Sequence, residues 1–252
     1  MNIDNPVISH IPQLKKLWKE AFGDDDKTID NFFDTAFSLD RCMCTFDDNR
    51  VVAVLYWFDC TLDDVPVSYI YAVATDKEYR GRGLCRKLKE YTHRHLADKG
   101  YCGAVLVPGS AELFDFYGKL GYSICSHISS CHCKVSEPPI EVRSLTTFEY
   151  EKLRREYLPE HSVIQEGKNT AYLSSEYSLY GGETFVFAVK KIGDKAYSPE
   201  YLGNTDCIPH ILKTLGCVEG TFRVTGNERE FAMWIPFVDN INPPKYFGLA
   251  FD

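Results

Sequence analysis

The sequence lacks any long apolar run, and its N-terminus lacks the basic stretch and apolar core of a secretory signal. The longest apolar segments, such as residues 51–58, have the length of a strand and are too short to cross a bilayer. We therefore predict no membrane span and no leader, and we expect a cytoplasmic protein without a membrane partner.

An excess of positive charge is also missing, because the formal net charge is −8 over 252 residues. Such an acidic chain disfavours non-specific binding to nucleic acid, so we predict no nucleic-acid partner. Its hydrophobic content of 44% and charged content of 25% are ordinary for a globular protein. The chain is long enough for one large domain or two small ones.

The ten cysteines show no regular framework of the kind that small secreted domains use for disulfides. Cys42 and Cys44, like Cys131 and Cys133, lie two residues apart in alternating segments, where they share one strand face. Their spacing does not match that of common closed zinc sites. We predict free, mostly buried thiols and no bound metal.

Residues 73–88 give the strongest indication of function. Their pattern predicts an apolar strand, a turn, a glycine-bearing loop and an amphipathic helix. Gly81 and Gly83 lack Cβ, so the backbone there can adopt unusual dihedral angles and approach an anion closely. Unpaired N–H groups and the helix dipole favour phosphate at the helix N-terminus. This pattern predicts a diphosphate-bearing cofactor. We expect Lys87 and Lys89, farther along the helix, to lie on its solvated face.

The segment Arg80-Gly-Arg-Gly-Leu-Cys85 resembles the acyl-CoA loop of the GCN5-related N-acetyltransferases, the GNAT family, which is written Arg/Gln-x-x-Gly-x-Gly/Ala. Cys85 departs from that pattern. A subgroup similar to the enhanced-intracellular-survival (Eis-like) acetyltransferases has a larger residue there, followed by Arg, as in this chain. The resemblance implies acetyl-CoA as co-substrate, bound by Val73, Ala74, Thr75, Arg80, Gly81, Arg82, Gly83, Leu84, Cys85, Arg86 and Ser110. The place of Cys85 at a helix N-terminus also predicts a lowered thiol pKa and some reactivity.

A second segment, residues 103–122, reads as an apolar strand, a Pro108-Gly109 turn and a short helix ending near Gly121. It resembles the GNAT segment that closes the cofactor site. The resemblance implies that Tyr117 protonates the departing thiolate of CoA, which a phenol with an ordinary pKa near 10 does well. The alternative interpretation of Tyr117 is an aromatic side chain packed on the sheet.

The group that takes the proton of the acceptor amine is harder to find. Residues 68–75 contain no carboxylate, and Asp59 is the nearest acid on the neighbouring strand, where a solvated strand end is the alternative interpretation. The resemblance to the Eis-like subgroup implies that a terminal carboxylate enters the active site. We therefore name Asp252 as the candidate base.

The order of predicted elements through residue 134 is the GNAT order. We predict an α/β GNAT acyl-CoA N-acyltransferase fold with a mixed sheet, followed by a second, degenerate GNAT-like domain. The predicted domains are residues 1–135 and 140–252, joined by a linker at 136–139. In the second half we predict helices at 146–157, 170–180 and 207–215, and strands at 184–191, 196–201, 220–224, 231–237 and 246–251. The alternative for this half is an unrelated α+β cap.

Together these features predict an N-acetyltransferase that moves an acetyl group from acetyl-CoA to a primary amine of a small molecule, in a ternary complex. Five aromatic residues on two predicted strands are candidates for the walls of the acceptor cleft: Tyr56, Trp57, Phe58, Tyr69 and Tyr71. A non-catalytic acyl-CoA-binding module and a protein N-acetyltransferase are the alternatives. A homodimer is left open as the assembly.

Overall fold

In the computed structural model, which describes residues 1–251, twelve strands form one mixed sheet with seven α-helices around it. The helices are α1 (Ile11–Phe22), α2 (Asp26–Thr35), α3 (Leu84–Asp98), α4 (Ala111–Gly118), α5 (Thr147–Tyr157), α6 (Lys168–Glu176) and α7 (Ile208–Leu215). The strands are β1 (Asn2–Asp4), β2 (Cys42–Asp47), β3 (Arg50–Leu62), β4 (Val65–Thr75), β5 (Gly103–Leu106), β6 (Ser123–Lys134), β7 (Arg143–Ser144), β8 (Ser178–Gly181), β9 (Phe185–Ile192), β10 (Lys195–Gly203), β11 (Glu219–Thr225) and β12 (Arg229–Pro236).

The strands follow the order β1-β2-β3-β4-β5-β12-β6-β11-β10-β9-β8-β7 across the sheet. Two neighbouring pairs, β4 with β5 and β10 with β11, are parallel, and the other pairs are antiparallel. The last strand, β12, lies between β5 and β6 and pairs with both. The two halves of the chain therefore share one sheet, and the division at 136–139 stays a prediction.

The parallel pair β4 and β5 separates toward its carboxyl end. The two strands are paired only at Ser68 with Ala104 and at Tyr69 with Val105. Farther along β4 the register shifts against β3, and Ala72 has a φ of 46°, which marks a bulge. Because β5 ends at Leu106, just before a Pro108-Gly109 turn, the gap beside the bulge has no strand to fill it.

The first half of the sheet has a hydrophobic core on each face. On one face α1 and α2 pack through buried side chains such as Trp18 and Phe32. On the other face α3 and α4 pack on Leu55 and Ile70. Asp25 caps α2 by accepting a hydrogen bond from the Thr28 N–H at 2.8 Å. The two helical layers place side chains on both sides of the β4–β5 gap.

Two predictions for the second half are wrong. The predicted helix at 170–180 ends at Glu176, and residues 178–181 form β8 instead. The predicted strand at 246–251 is an extended segment without a strand ladder, in which Tyr246 alone forms an isolated bridge, with Ser162. Its backbone groups bond to buried side chains, since Gln165 Nε2 donates to the Leu249 carbonyl at 2.9 Å.

The other predicted elements form within a few residues of their expected bounds, including the helix after the glycine loop. Aspartate turns join β2 to β3 and β3 to β4, with positive φ at Asp48, Asp63 and Asp64. None of the α-helices within residues 1–251 combines the length and the apolar character needed to cross a membrane.

Candidate active site

A cleft of 610 Å³ opens where β4 and β5 separate. Residues 69–73 of β4 and residues 106–109 after β5 form its centre, while side chains from both faces of the sheet and from the second half of the chain form its walls. A cavity of this size suits a small ligand. Because β5 pairs with β4 only as far as Tyr69, the bulge at Ala72 has no strand partner on the β5 side, where a backbone N–H could polarise a thioester carbonyl.

Of the three β4 positions that the resemblance assigned to the cofactor, Val73 lines the cleft. Ala74 is buried in the core on the α1 face, and Thr75 lies beyond the cleft, where its carbonyl accepts a hydrogen bond from Arg80 Nε at 3.1 Å. The bulge at Ala72 explains why only one of the three residues lines the cleft, because it breaks the regular alternation of side chains between the two faces of the sheet.

The glycine loop joins β4 to α3 in the predicted way. Gly81 and Gly83 have φ values of 75° and 71°, in the left-handed region, and Gly83 is the N-cap of α3. A Cβ at either position would meet no atom within 4 Å, so conformation rather than space requires glycine there. No side chain caps this helix, so its first N–H groups, including those of Leu84 and Cys85, have no acceptor within the helix.

Exposed arginines surround the loop. Arg80 donates a hydrogen bond to the Thr75 carbonyl at the end of β4. The Arg82 guanidinium donates to the Glu78 carbonyl at 2.9 Å and lies 4.8 Å from the centre of the Tyr79 ring. Arg86 is exposed on the first turn of α3. These cations and the helix N-terminus fit a diphosphate, so the loop suits the cofactor that the sequence predicted.

The predicted lowering of the Cys85 pKa is wrong. The side chain is half-buried, and burial raises the pKa of the thiol instead of lowering it. Contact of Cys85 with the cofactor stays a prediction. Ser110, also predicted to contact the cofactor, is the exposed N-cap residue of α4, where its hydroxyl donates to Glu112 at 2.7 Å, and it does not line the cleft.

Tyr117 lies on α4 with only 8% of its surface exposed, and it lines the cleft. Its hydroxyl has no hydrogen-bond partner within residues 1–251, which leaves it available to a ligand. Burial, followed by the neighbouring Cys85, raises the pKa of the Tyr117 phenol. The position of Tyr117 therefore fits both interpretations. The side chain is packed like a core aromatic, and it also lines the cleft, as a proton donor must.

Lys89 does not lie on the solvated face of α3 where we predicted it. Its side chain is 1% exposed, and the buried positions of this helix are Leu84, Leu88, Lys89, Thr92 and Leu96. The apolar and aromatic spacing along this helix predicts a buried face that includes Tyr91 and His95, and the observed buried face is rotated from it. The Lys89 ammonium group lies over the Tyr117 ring, 4.3 Å from its centre.

The opposite wall of the cleft is aromatic. The Trp18 and Tyr71 rings lie 5.6 Å apart, and Tyr172 and Phe251 from the second half continue the wall at 5.1 Å from each other. Of the five predicted wall residues, Tyr69 and Tyr71 line the cleft. The other three do not, since Tyr56 and Phe58 are buried in the core under α1 and α2, and Trp57 is buried on the opposite face.

Carboxylates also line this wall, and sequence reasoning missed them. Asp24 follows the left-handed C-cap Gly23 of α1 and accepts a hydrogen bond from Trp18 Nε1 at 2.7 Å. Glu176 and Glu230 line the same cleft, and Glu176 pairs with Lys190 at 2.9 Å. In the sequence Asp24 belongs to the acidic triplet of residues 24–26, which indicates only the end of the first helix. No local signal distinguishes Asp24 from its two neighbours.

Asp59, the nearest acid on the strand beside β4, does not line the cleft. Its carboxylate accepts from Arg41 at 2.9 Å and from the Tyr101 hydroxyl at 2.6 Å. Asp252 lies outside the described residues. The preceding Phe251 lines the cleft, so the chain reaches the cleft at the last residue that the structure describes.

The family model described as "Acetyltransferase (GNAT) domain" matches residues 2–125. A GCN5-related N-acetyltransferase from Anabaena variabilis has a similar structure, with a TM-score of 0.73 and 12% identity over 94% of this chain and 73% of that one. For Eis1 from Mycobacterium abscessus the TM-score is 0.67 at 9% identity, over 94% of this chain and 74% of that chain. No curated protein matches the sequence.

A tandem GNAT protein from the clavulanic acid biosynthesis pathway is similar over nearly its whole length, with a TM-score of 0.59 and 10% identity over 95% of this chain and 99% of that one. At these identities the similarity concerns the fold. It confirms the predicted fold class, a mixed α/β GNAT fold followed by a second GNAT-like half.

Proposed function

Because residues 2–125 match the GNAT acetyltransferase domain model, we propose that the chain transfers an acetyl group from acetyl-CoA to a primary amine of a small molecule in a ternary complex. The observation that carries the proposal is the cleft at the β4–β5 gap. A glycine loop suited to a diphosphate follows β4 on one side, and an aromatic, acidic wall faces the gap on the other. We expect this reaction to take place in the cytoplasm.

Acetyl-CoA supplies the thioester that the amine attacks. Gly81, Gly83 and the N-terminus of α3 are suited to its phosphates, and the Ala72–Val73 bulge is suited to its acyl end. Tyr117 lines the cleft and is the proposed proton donor to sulfur.

Lys190 and Arg229 also line the cleft, and Lys190 pairs with Glu176, so the preference for a cationic amine over a neutral or anionic acceptor rests on the aromatic wall and Asp24. A protonated amine is attracted both by aromatic ring faces and by the charge of Asp24. Asp24 is the proposed acceptor of the proton that the amine must lose before it attacks. Asp252, implied by the resemblance to the Eis-like subgroup, is the second proposed base.

The test is calorimetric titration with acetyl-CoA of the wild-type chain and of Gly83→Val. The β-branched side chain strains a φ of 71° and fills the space that a phosphate would need, so we expect acetyl-CoA binding to be lost. Gly100→Val is the matched control. Gly100 at the other end of α3 has a φ of 88° and equally open surroundings, so its substitution carries a similar strain far from the loop.

Binding that Gly83→Val removes and Gly100→Val preserves supports the cofactor assignment. Turnover is then measured against a panel of small primary amines, with a lysine-containing peptide as the comparison. Acetyl-CoA binding without acetylation of any acceptor would favour a non-catalytic acyl-CoA-binding module. Preferred acetylation of the peptide would favour a protein acetyltransferase.

A further inference from the structure

Lys89 is a buried amine without a counter-ion. It is 1% exposed, and its Nζ forms no hydrogen bond within the described part of the chain. Burial of an unpaired amine lowers the stability of a fold, and an apolar side chain of similar length would avoid that cost. Such a residue calls for an explanation beyond packing.

The side chains around Lys89 are aromatic or neutral, so no other charge offsets that of its ammonium group. Its Nζ lies 4.3 Å from the centre of the Tyr117 ring and 4.5 Å from that of Tyr122. Two other titratable groups face it from α3. Burial raises the pKa of the Cys85 thiol and lowers the pKa of His93 to about 3, so both are neutral at pH 7.

A proton donor at Tyr117 faces an energetic difficulty. Burial raises the pKa of its phenol, whereas a free thiol has a pKa of about 8.5. Proton transfer from Tyr117 to a thiolate is therefore uphill, and burial makes it more so. A cation beside the ring reverses part of this effect, because it stabilises the phenolate more than the neutral phenol.

We propose that Lys89 is a positioning residue, whose ammonium group holds the Tyr117 ring at the cleft and stabilises the phenolate that forms as Tyr117 gives its proton to sulfur. The proposal rests on the proposed function. In the step concerned, the nitrogen–carbon bond to the acceptor forms and the carbon–sulfur bond of the thioester breaks. The Tyr117 proton moves to sulfur. The base, proposed as Asp24, takes the proton of the amine and passes it to solvent, and solvent returns one proton to the phenolate.

The charge state of Lys89 gives the proposal a pH dependence. Desolvation by burial lowers the pKa of Lys89 to about 7, so the ammonium is present below pH 7 and is lost as the pH rises through 7. An unfolded lysine keeps its proton up to a pH of about 10.4. Between these values the unfolded chain binds more protons than the folded one, so this residue makes the stability of the fold rise with pH.

The test is Lys89→Met, which keeps the length of the side chain and removes the amine. We expect kcat to fall about tenfold while the KM for acetyl-CoA changes less than about twofold, because only the proton transfer is affected. At pH 7 the thermal midpoint rises by about 5 °C or more, because the buried amine is gone. This gain over wild type shrinks between pH 7 and pH 10. Lys87→Met, at an exposed position two residues earlier, is the control and leaves each quantity unchanged.

A double-mutant cycle with Tyr117→Phe then shows whether Lys89 acts through the phenol. Loss of the Lys89→Met effect on kcat in the Tyr117→Phe background supports the proposal. Additive losses overturn it, as does a lower thermal midpoint for Lys89→Met, which would indicate a structural role. Unchanged turnover in Lys89→Met overturns the role of Lys89 and leaves the proposed function standing. Absence of turnover in the wild-type chain overturns both.

Discussion

Asp24 and Tyr117 approach the cleft from opposite faces of the sheet. Asp24 follows α1 on the face that carries Trp18, and Tyr117 lies on α4 on the other face. A transfer reaction needs one group that removes a proton from the nucleophile and another that gives a proton to the leaving group. The gap between β4 and β5 places these two side chains on one cleft, as their proposed roles require.

At Asp24 we predict that Asp24→Asn lowers kcat/KM for the amine about tenfold or more and leaves the affinity for acetyl-CoA unchanged. The asparagine oxygen can still accept the Trp18 hydrogen bond, so the variant removes the charge and little else. Steady-state kinetics with varied amine and calorimetry with acetyl-CoA check this. Asp26→Asn, an exposed neighbour that pairs with Lys19, is the control. Equal losses in both variants would contradict a specific role for Asp24.

A short peptide extension after Asp252 separates the two proposed bases. If the carboxylate at that position takes the proton, the extension lowers turnover sharply and leaves acetyl-CoA affinity intact. If Asp24 takes it, the extension changes mainly the KM for the amine, because Phe251 lines the acceptor wall. Turnover of the extended chain equal to that of the wild type would discard Asp252.

At the scale of elements, a buried ion pair secures the segment that carries Phe251. Arg154 on α5 donates to Glu200 on β10 at 2.6 and 3.1 Å, and the Tyr246 hydroxyl donates to the same carboxylate at 3.2 Å. Both members of the pair are almost fully buried. Tyr246 begins the extended segment, so the pair connects a helix, a strand and the wall of the cleft.

We predict that Glu200→Gln lowers the free energy of unfolding by about 3 kcal/mol, because it leaves the Arg154 charge buried without a counter-ion. Denaturant unfolding measures this value. Glu166→Gln is the matched control, since Arg155 and Glu166 form a similar two-point pair at a partly exposed position, where such pairs contribute about 1 kcal/mol or less. A loss for Glu200→Gln no larger than for the control would show that the buried pair is dispensable.

At the scale of the whole molecule, the halves are joined through the sheet. Strand β12 of the second half lies between β5 and β6 of the first half and pairs with both. Strand β11, also from the second half, pairs with the other edge of β6. Without the second half, β5 and β6 would expose unpaired backbone groups and the apolar side chains that β12 covers.

We therefore predict that a fragment of residues 1–139 does not fold by itself, whereas a chain cut within 136–139 stays associated. Circular dichroism and size-exclusion chromatography of the fragment, and co-purification of the cut halves, measure these outcomes. The cut chain is the control for loss of the linker alone. A monomeric fragment that unfolds cooperatively and binds acetyl-CoA would contradict this view of the sheet.

The amino-acid sequence determined the glycine loop, the helix that follows it and most of the strands. These features depend on local chemistry, such as left-handed glycines at a helix start and alternating apolar residues, and neighbours along the chain are enough to specify them. Tyr117 was found for the same reason, since its motif is contained in one short strand and helix.

The tertiary structure alone decided which side chains meet at the cleft. Asp24, Tyr172 and Phe251 come from distant segments, and no pattern within any one of them indicates a shared wall. The burial of Lys89 and Cys85 depends on how α3 is rotated against α4, which the spacing of apolar residues on α3 left open. The place of β12 depends on pairing between strands far apart in sequence, because the energy of such contacts appears only when the whole sheet forms.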